Sequence, residues 1–286
     1  MTWRSLQGEV VVALRAAGVA EPEAEARRIV AEAAGCSPAE LVLIGGDEPT
    51  TLPAAHVARM LERRCAGEPL QYVLGSWGFR SLDLFVDGRV LIPRPETEVV
   101  TERALTEIDR CAADGHRPVV VDLGTGSGAI GLSVAVERER SSVWLTDASA
   151  DALAVARSNL VGIGRAATRV QIVEGDWFEA LPAHLVGGID VIVSNPPYVA
   201  DGDPLPEDVQ RWEPAGALFA GSEGLDDLRR IVAEAPSWLA ERGALVVELD
   251  PRQAGAVARL AEDAGFSEVE VGRDLTGRDR LVVARR

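Results

Sequence analysis

The sequence predicts an α/β protein with a mostly parallel, seven-stranded sheet, preceded by a small helical bundle and a β-hairpin linker. Three observations carry that prediction. From Pro118 onward, short apolar runs alternate with amphipathic helical stretches. Residues 1 to about 75 carry only helical periodicity. The last two apolar runs stand too close together for a crossover helix between them.

Trp3, Leu6, Val10 and Leu14 recur at three- and four-residue steps, which places them on one helix face. Gly18 stops that helix. Pro22 suits the first turn of the next, marked by Ala26, Ile29, Val30 and Ala33 and closed by Gly35. Ser37-Pro38 starts a short third helix; a fourth begins near Pro53, carries Val57, Leu61 and Cys65 on one stripe and ends by Gly67. Between residues 76 and 95, Phe79, Leu82, Leu84, Val86 and Val90 fall in short runs broken by Asp87-Gly88, a hairpin-turn signal. Ile92-Pro93-Arg94-Pro95-Glu96-Thr97-Glu98 follows as a stiff connection, since two prolines resist regular structure. Glu96 or Thr97 serves the N-terminus of a helix through Val99, Val100 and Leu105.

Strands are expected at Val119–Leu123, Val143–Thr146, Val170–Val173, Ile189–Ser194 and Ala244–Leu249. Helices are expected at Ile130–Arg138, Ala152–Leu160, Leu225–Arg242 and Arg252–Ala264. This alternation buries a parallel sheet between two helical layers. Glu268–Val271 and Leu281–Ala284 must pair antiparallel, giving the sheet a reversed edge strand. The chain thus divides into a helical segment 1–75, a hairpin linker 76–95 and a sheet domain 96–286.

Charge narrows the function. The 286 residues carry 29 cations, all arginine, against 45 acids, for a formal net charge of −16. Such a surface repels a phosphate backbone, so no direct nucleic-acid contact is expected, whereas a basic protein partner is compatible with it. No run approaches the roughly 18 apolar residues of a membrane span. Met1-Thr2-Trp3-Arg4 leads into a charged amphipathic stretch, not the apolar core of a signal peptide. Cys36, Cys65 and Cys111 lie far apart and His56, His116 and His184 are isolated. Neither a disulfide framework nor a metal site is expected, and the reducing cytoplasm is the expected location.

Four signals carry chemistry, each at the C-terminal end of a predicted strand, where open α/β sheets bind ligands. In Val119-Val120-Val121-Asp122-Leu123-Gly124-Thr125-Gly126-Ser127-Gly128-Ala129 an apolar strand runs into a glycine-rich turn that opens a helix. Its glycines permit close backbone approach to a ligand, yet the same spacing fits a dinucleotide fingerprint or a structural turn. Asp147 ends the next strand, where an acid accepts ribose hydroxyls; it does not separate a nicotinamide cofactor from S-adenosylmethionine. Asp176-Trp177 follows the third strand and offers either an adenine contact or a core tryptophan. Asn195-Pro196-Pro197-Tyr198 ends the fourth strand. Prolines there fix the backbone and donate no N–H, so the segment presents acceptors, from main-chain carbonyls and from Asn195, beside an aromatic face. A planar –NH2 group suits such a site.

Asn-Pro-Pro-Tyr at that place resembles the S-adenosylmethionine-dependent methyltransferases that act on planar nitrogen, either adenine or glutamine amide. Nearly the whole chain is similar to the release-factor glutamine methyltransferases (PrmC/HemK). The similarity extends to Gly67-Glu68-Pro69-Leu70-Gln71-Tyr72, to Leu91-Ile92-Pro93-Arg94-Pro95-Glu96-Thr97-Glu98, and to Glu213-Pro214 with Ala217-Leu218 and Gly221 to Asp226. It departs at Asp250-Pro251, where a Gly-containing turn is expected before Gln253.

The resemblance implies a Rossmann-like class I methyltransferase domain over 96–286 and a substrate-recognition domain over 1–75. It implies methyl transfer from S-adenosylmethionine, leaving S-adenosylhomocysteine, to the amide nitrogen of Gln in the Gly-Gly-Gln tripeptide of class I peptide-chain release factors, in support of translation termination. Gly124, Thr125, Gly126, Ser127 and Gly128 would surround the methionine portion, Asp147 the ribose, and Asp176 and Trp177 the adenine. Asn195, Pro196, Pro197 and Tyr198 would hold the acceptor, with Asn195 also beside the cofactor. No metal is implied, and a monomer is expected. Asp201, Asp203, Glu207, Asp208 and Glu213 form an acidic loop expected to grip the release factor together with the helical domain, with Arg94 near the cleft. The alternative enzyme is a nucleic-acid adenine-N6 methyltransferase. A nicotinamide oxidoreductase leaves Asn195–Tyr198 unexplained, and a binding module without catalysis leaves both motifs idle.

Overall fold

The computed structural model describes residues 1–112 and 115–286. Its contacts divide them into two compact units, Met1–Ser76 with Pro206–Trp212, and Trp77–Leu205 with Glu213–Arg286.

In the first unit, α1 (Trp3–Ala16) opens on a Thr2/Ser5 capping box and buries Trp3, Leu6, Val10 and Leu14. Pro22 begins α2 (Pro22–Ala34), which Gly35 ends at φ 65°. The third helix, α3 (Leu41–Ile44), is a single turn. In α4 (Thr51–Cys65) the buried residues are Val57 and Met60, while Leu61 is half-buried and Cys65 exposed. The apolar stripe is therefore rotated from the expected one. Sequence periodicity misses α5 (Leu70–Leu74), which is too short to display any. Tertiary hydrogen bonds hold it: the Arg63 guanidinium donates to the carbonyls of Tyr72 at 2.9 Å and Val73 at 3.3 Å and pairs with Glu68 at 2.6 Å. Leu14, Ile29, Val57, Met60 and Val73 meet in one core. Full burial of a side chain of that kind contributes about 1.5–3 kcal/mol.

The second unit begins with a hairpin of β1 (Ser76–Phe79) and β2 (Leu82–Phe85). Its turn is Arg80-Ser81, not Asp87-Gly88. Arg80 is held at φ 51° by acids that its sequence neighbours do not reveal. Its N–H donates to Glu98 at 3.0 Å and its guanidinium to Glu137 at 2.6 Å and Glu102 at 2.7 Å. Asp87 instead pairs with Arg89 at 2.7 Å. The next helix, α6 (Pro95–Cys111), has no side-chain cap, so neither Glu96 nor Thr97 serves its N-terminus; Thr97 is turned inward and buried.

The sheet domain continues through β3 (Val119–Leu123), α7 (Ala129–Glu137), β4 (Ser142–Asp147), α8 (Ala150–Gly162), β5 (Val170–Glu174) and β6 (Ile189–Ser194). After α9 (Glu207–Trp212), which belongs to the helical unit, come α10 (Asp226–Trp238), β7 (Leu239–Glu248), α11 (Ala254–Asp263), β8 (Glu268–Arg273) and β9 (Asp279–Arg285). Residues 239–242, expected as the end of a helix, already belong to β7. Pro236 weakens the last turn of α10, and Leu239 pairs with Ile189 of β6.

Sheet order is β5-β4-β3-β6-β7-β9-β8. Strands β3 to β7 run parallel, and β9 is antiparallel to both its neighbours. The reversed strand thus lies one place in from the edge, contrary to expectation. Burial explains the placement: Leu281, Val282, Val283 and Ala284 of β9 are fully buried and need a strand on each side, whereas β8 is half-exposed throughout and suits an edge. Along the strands, Val120, Val191, Val193 and Val246 face the layer of α6 and α7; Val121, Ile192, Leu245 and Val247 face α10 and α11. The chain steps outward from β3 through β4 to β5 and then returns to set β6 on the other side of β3. That reversal leaves a crevice beyond the C-terminal ends of β3 and β6. Among the described residues, no helix is long and apolar enough to cross a membrane, and no cluster of His, Cys, Asp or Glu is disposed to hold a metal ion.

Candidate active site

The crevice holds a cavity of about 560 Å³. Its walls combine Gly124–Ser127 after β3, Asp147–Ser149 after β4, Gly175–Trp177 after β5, and Asn195 and Pro197 after β6. The opposite wall is made by Arg89–Leu91, Pro93 and Thr97 with Pro214, Gly216 and Ala217. Of the residues expected at the site, Gly128, Pro196 and Tyr198 do not reach the cavity surface.

Gly124 and Gly126 adopt φ 68° and 55°, in the region that favours glycine. A Cβ on Gly124 would stand 3.1 Å from Cζ3 of Trp177, so the tryptophan ring lies directly on the turn. The Gly126 N–H donates to Asp147 Oδ2 at 2.9 Å, and the Ser149 N–H donates to Asp147 Oδ1 at 2.9 Å. Burial pushes the Asp147 carboxyl up, against those two bonds. Trp177 holds φ 45°, rare for a bulky side chain, and its indole N–H donates to Asp227 at 3.2 Å. Asp176 pairs with Arg230.

Asp122 lies beneath the glycine turn and accepts from the Thr125 hydroxyl at 2.6 Å and the Gly131 N–H at 2.9 Å. Burial raises its pKa to about 6. An acid in an otherwise apolar strand run was the available sequence signal for it, and for Glu248 in Ala244–Leu249. Asp227 and the cavity face of Thr97 had no such signal.

The segment after β6 is held from several sides. The Ser194 hydroxyl donates to the Leu123 carbonyl at 2.7 Å, and Asn195 Nδ2 donates to Thr97 Oγ1 at 3.3 Å. The Tyr198 hydroxyl donates to Glu248 Oε1 at 3.2 Å; burial and the neighbouring carboxyl push the phenol pKa up. Gln253 Nε2 donates to the carbonyls of Tyr198 and Gly224, both at 2.9 Å. Asp250-Pro251 makes a capped 3₁₀ turn that places Gln253 for this contact without a glycine. Arg94 pairs with Glu213, which is buried and also accepts the Ile92 N–H at 3.2 Å. Glu213 is thus buried beside Pro214 of the wall and not part of a solvated acidic loop, and Asp203 is paired with Arg252 at 2.7 Å.

Among the described residues, the ionisable groups on the cavity are Asp147, Asp176, Asp227 and one cation, Arg89, itself bound to Asp87. This excess of carboxylate suits a ligand that carries positive charge and opposes a pyrophosphate. With hydroxyl acceptors at Asp147 and an aromatic face at Trp177, the lining fits S-adenosylmethionine.

Known proteins agree with this architecture. The PrmC N-terminal domain family matches residues 6–75, and the methyltransferase small domain family matches residues 105–211. A release factor glutamine methyltransferase of Deinococcus radiodurans is 40% identical over 287 residues, covering 100% of this chain and 99% of its own length. The chain belongs to the release factor glutamine methyltransferase family. Its relative from Burkholderia pseudomallei is 44% identical, over 90% of this chain and 89% of that protein. Among solved structures, a methyltransferase from Pyrococcus furiosus shares the fold at a TM-score of 0.51 and 17% identity, covering 81% of this chain and 98% of that one. The hMettl16 catalytic domain does so at 0.55 and 14%, covering 82% and 80%.

Proposed function

We propose that the chain transfers a methyl group from S-adenosylmethionine to the side-chain amide nitrogen of Gln in the Gly-Gly-Gln tripeptide of class I release factors. The observation that carries this reading is the Asn195 carboxamide, set by Pro196 and Pro197 on the surface of an acid-rich cavity beside the glycine turn. Gly124, Thr125, Gly126 and Ser127 hold the methionine portion, with Gly128 at φ 88° shaping the turn behind them, Asp147 the ribose, and Asp176 and Trp177 the adenine. When bound, this cofactor supplies an electrophilic methyl on a sulfonium.

The task of the remaining residues follows from the acceptor. An amide nitrogen delocalises its lone pair into the carbonyl and is a weak nucleophile. Asn195 Oδ1, on the cavity surface, accepts one of its hydrogens, which holds the nitrogen where its lone pair can be directed at the methyl carbon. Pro196 and Pro197 keep the loop rigid, and Tyr198, set back from the cavity, braces it through its hydroxyl on Glu248. Positioning of this kind is worth roughly 7–11 kcal/mol in favourable cases. The methylated nitrogen is acidic and gives its proton to water. Residues 1–75 recognise the release factor, 76–95 connect, and 96–286 carry out the transfer, in the cytoplasm and as a monomer, without a metal.

Mass spectrometry of a release factor incubated with the chain and S-adenosylmethionine tests the reading. One added methyl on the tripeptide glutamine is expected. Labelling of DNA or RNA in place of the release factor would favour the adenine-N6 alternative.

A further inference from the structure

The cavity presents three carboxylates, and the transfer as described gives no task to its one cation among the described residues, Arg89. Three sets of contacts fix where that guanidinium lies. The Asp87 carboxylate accepts from its Nε at 2.9 Å and from its Nη2 at 2.7 Å, and Asp87 Oδ1 also accepts the Arg89 backbone N–H at 3.1 Å. None of these bonds engages Nη1. The guanidinium carbon stands over the Phe85 ring, 5.9 Å from its centroid. Phe85 is in turn tied to the glycine turn by Asn159 of α8. Asn159 Oδ1 accepts the Phe85 N–H at 2.7 Å, and Nδ2 donates to the carbonyls of Phe85 at 3.0 Å and Ser127 at 2.8 Å. Arg89 is thus anchored to the part of the wall that the proposed function assigns to the methionine portion.

The turn itself offers few donors there. A glycine-rich turn opening a helix holds an anion through its free N–H groups. Here the Thr125 N–H donates to the Thr146 carbonyl at 2.8 Å, the Gly126 N–H to Asp147 at 2.9 Å, and the Gly128 N–H to the Thr125 carbonyl at 2.8 Å. Three of the turn's N–H groups are therefore bonded within the protein.

We propose that Arg89 receives the carboxylate of the methionine portion of S-adenosylmethionine. The inference rests on the reading of the cavity as the site of that cofactor, and names the residue that recognises its amino-acid end. The acid-rich lining attracts the sulfonium and the ammonium of the cofactor; its carboxylate is the one group that the lining repels. An ionised carboxylate taken from water into such a cavity needs a charged donor. A guanidinium meets that need in shape as well as charge. With Nε and Nη2 engaged by Asp87, the end that carries Nη1 remains for a second carboxylate, because five N–H donors sit in one rigid fork. Asp87 is not on the cavity; it holds the guanidinium at the wall, so less side-chain freedom is lost when the ligand binds.

The test is calorimetry on the full chain at neutral pH with two ligands, S-adenosylhomocysteine and decarboxylated S-adenosylhomocysteine, which keeps the ammonium and lacks only the carboxylate. Wild type should bind S-adenosylhomocysteine about tenfold more tightly than the decarboxylated ligand, the low end for a hydrogen bond between charged groups because Arg89 is only half-buried. Arg89→Gln should remove most of that preference: S-adenosylhomocysteine weakens by about tenfold, while the decarboxylated ligand stays near its wild-type affinity. Should Arg89→Gln fail to fold, Arg89→Met, which keeps the stem beside Phe85, decides by the same ratio. A variant that retains the wild-type ratio of the two affinities overturns the proposal, as does an equal weakening of both ligands, the mark of lost packing. A wild-type chain that binds the two ligands equally overturns it without any variant. Each of these results leaves the cofactor reading standing, whereas a wild-type chain that binds neither ligand overturns both.

Discussion

Asn195→Ala separates the acceptor oxygen from the rest of the site. Three bonds that hold its loop survive the substitution: Ser194 Oγ to the Leu123 carbonyl at 2.7 Å, Gln253 Nε2 to the Tyr198 carbonyl at 2.9 Å, and the Val199 N–H to the Leu218 carbonyl at 2.9 Å. The fold loses one side-chain hydrogen bond, to Thr97 at 3.3 Å, worth about 1 kcal/mol. At roughly 2–4 °C per kcal/mol for a chain of this size, the melting temperature should barely move. Transfer should suffer far more. Removing one preorganised group aimed at developing charge costs about 2.7–4 kcal/mol, or roughly 10²–10³ in kcat. The assay is initial-rate transfer of tritiated methyl to a release factor, with cofactor affinity measured separately by calorimetry. A large fall in kcat with cofactor Kd nearly unchanged is expected, because the lost contact belongs to the transition state. Turnover close to wild type would refute the reasoning.

Three further outcomes are expected. Asp147→Ala removes the acceptor assigned to the ribose and the partner of the Gly126 and Ser149 N–H groups, and should weaken S-adenosylmethionine binding by about 2–4 kcal/mol, read as a roughly 30- to 700-fold rise in calorimetric Kd; unchanged affinity would contradict the assignment. Gly131→Ala places a Cβ 2.0 Å from Leu145 Cδ2 and 3.1 Å from Asp122 Oδ2, so overpacking should cost about 1–3 kcal/mol or more, seen in urea unfolding, whereas Gly216→Ala meets nothing within 4 Å and should be neutral. Glu248 keeps its proton up to about pH 7 when folded, against an ordinary value of 4.5, so between those limits the native state holds a proton that the unfolded chain releases. Its contribution to stability therefore falls as pH rises through that window, by up to about 3 kcal/mol. Glu248→Gln should gain on wild type in unfolding free energy between pH 5 and pH 8, and a difference independent of pH would count against a buried, reluctant carboxyl.

Local patterns determined a great deal. Apolar runs of strand length, split by glycines and by 3.6-residue periodicity, announced the βαβ order, because a buried parallel strand must be apolar on both faces. The glycines of 124–128 and the prolines of 196–197 declared their backbone chemistry in the residues themselves, since φ preference and a missing N–H are properties of one residue. Gly35 and Pro22 marked helix ends for the same reason. What sequence did not contain was which distant groups meet. The hairpin turn fell at Arg80 because three glutamates on α6 and α7 clamp that residue, although Asp87-Gly88 is the better local signal. The place of β9 between β7 and β8 was decided by burial on both of its edges, which no count of its own residues reveals. Asn195, Thr97 and Glu248 are joined across 98 positions and, through Tyr198 to Glu248, a further 50, so the charge standing behind the acceptor exists only once the sheet has closed. Chain chemistry is written residue by residue, whereas the partner of a buried polar group is chosen by packing.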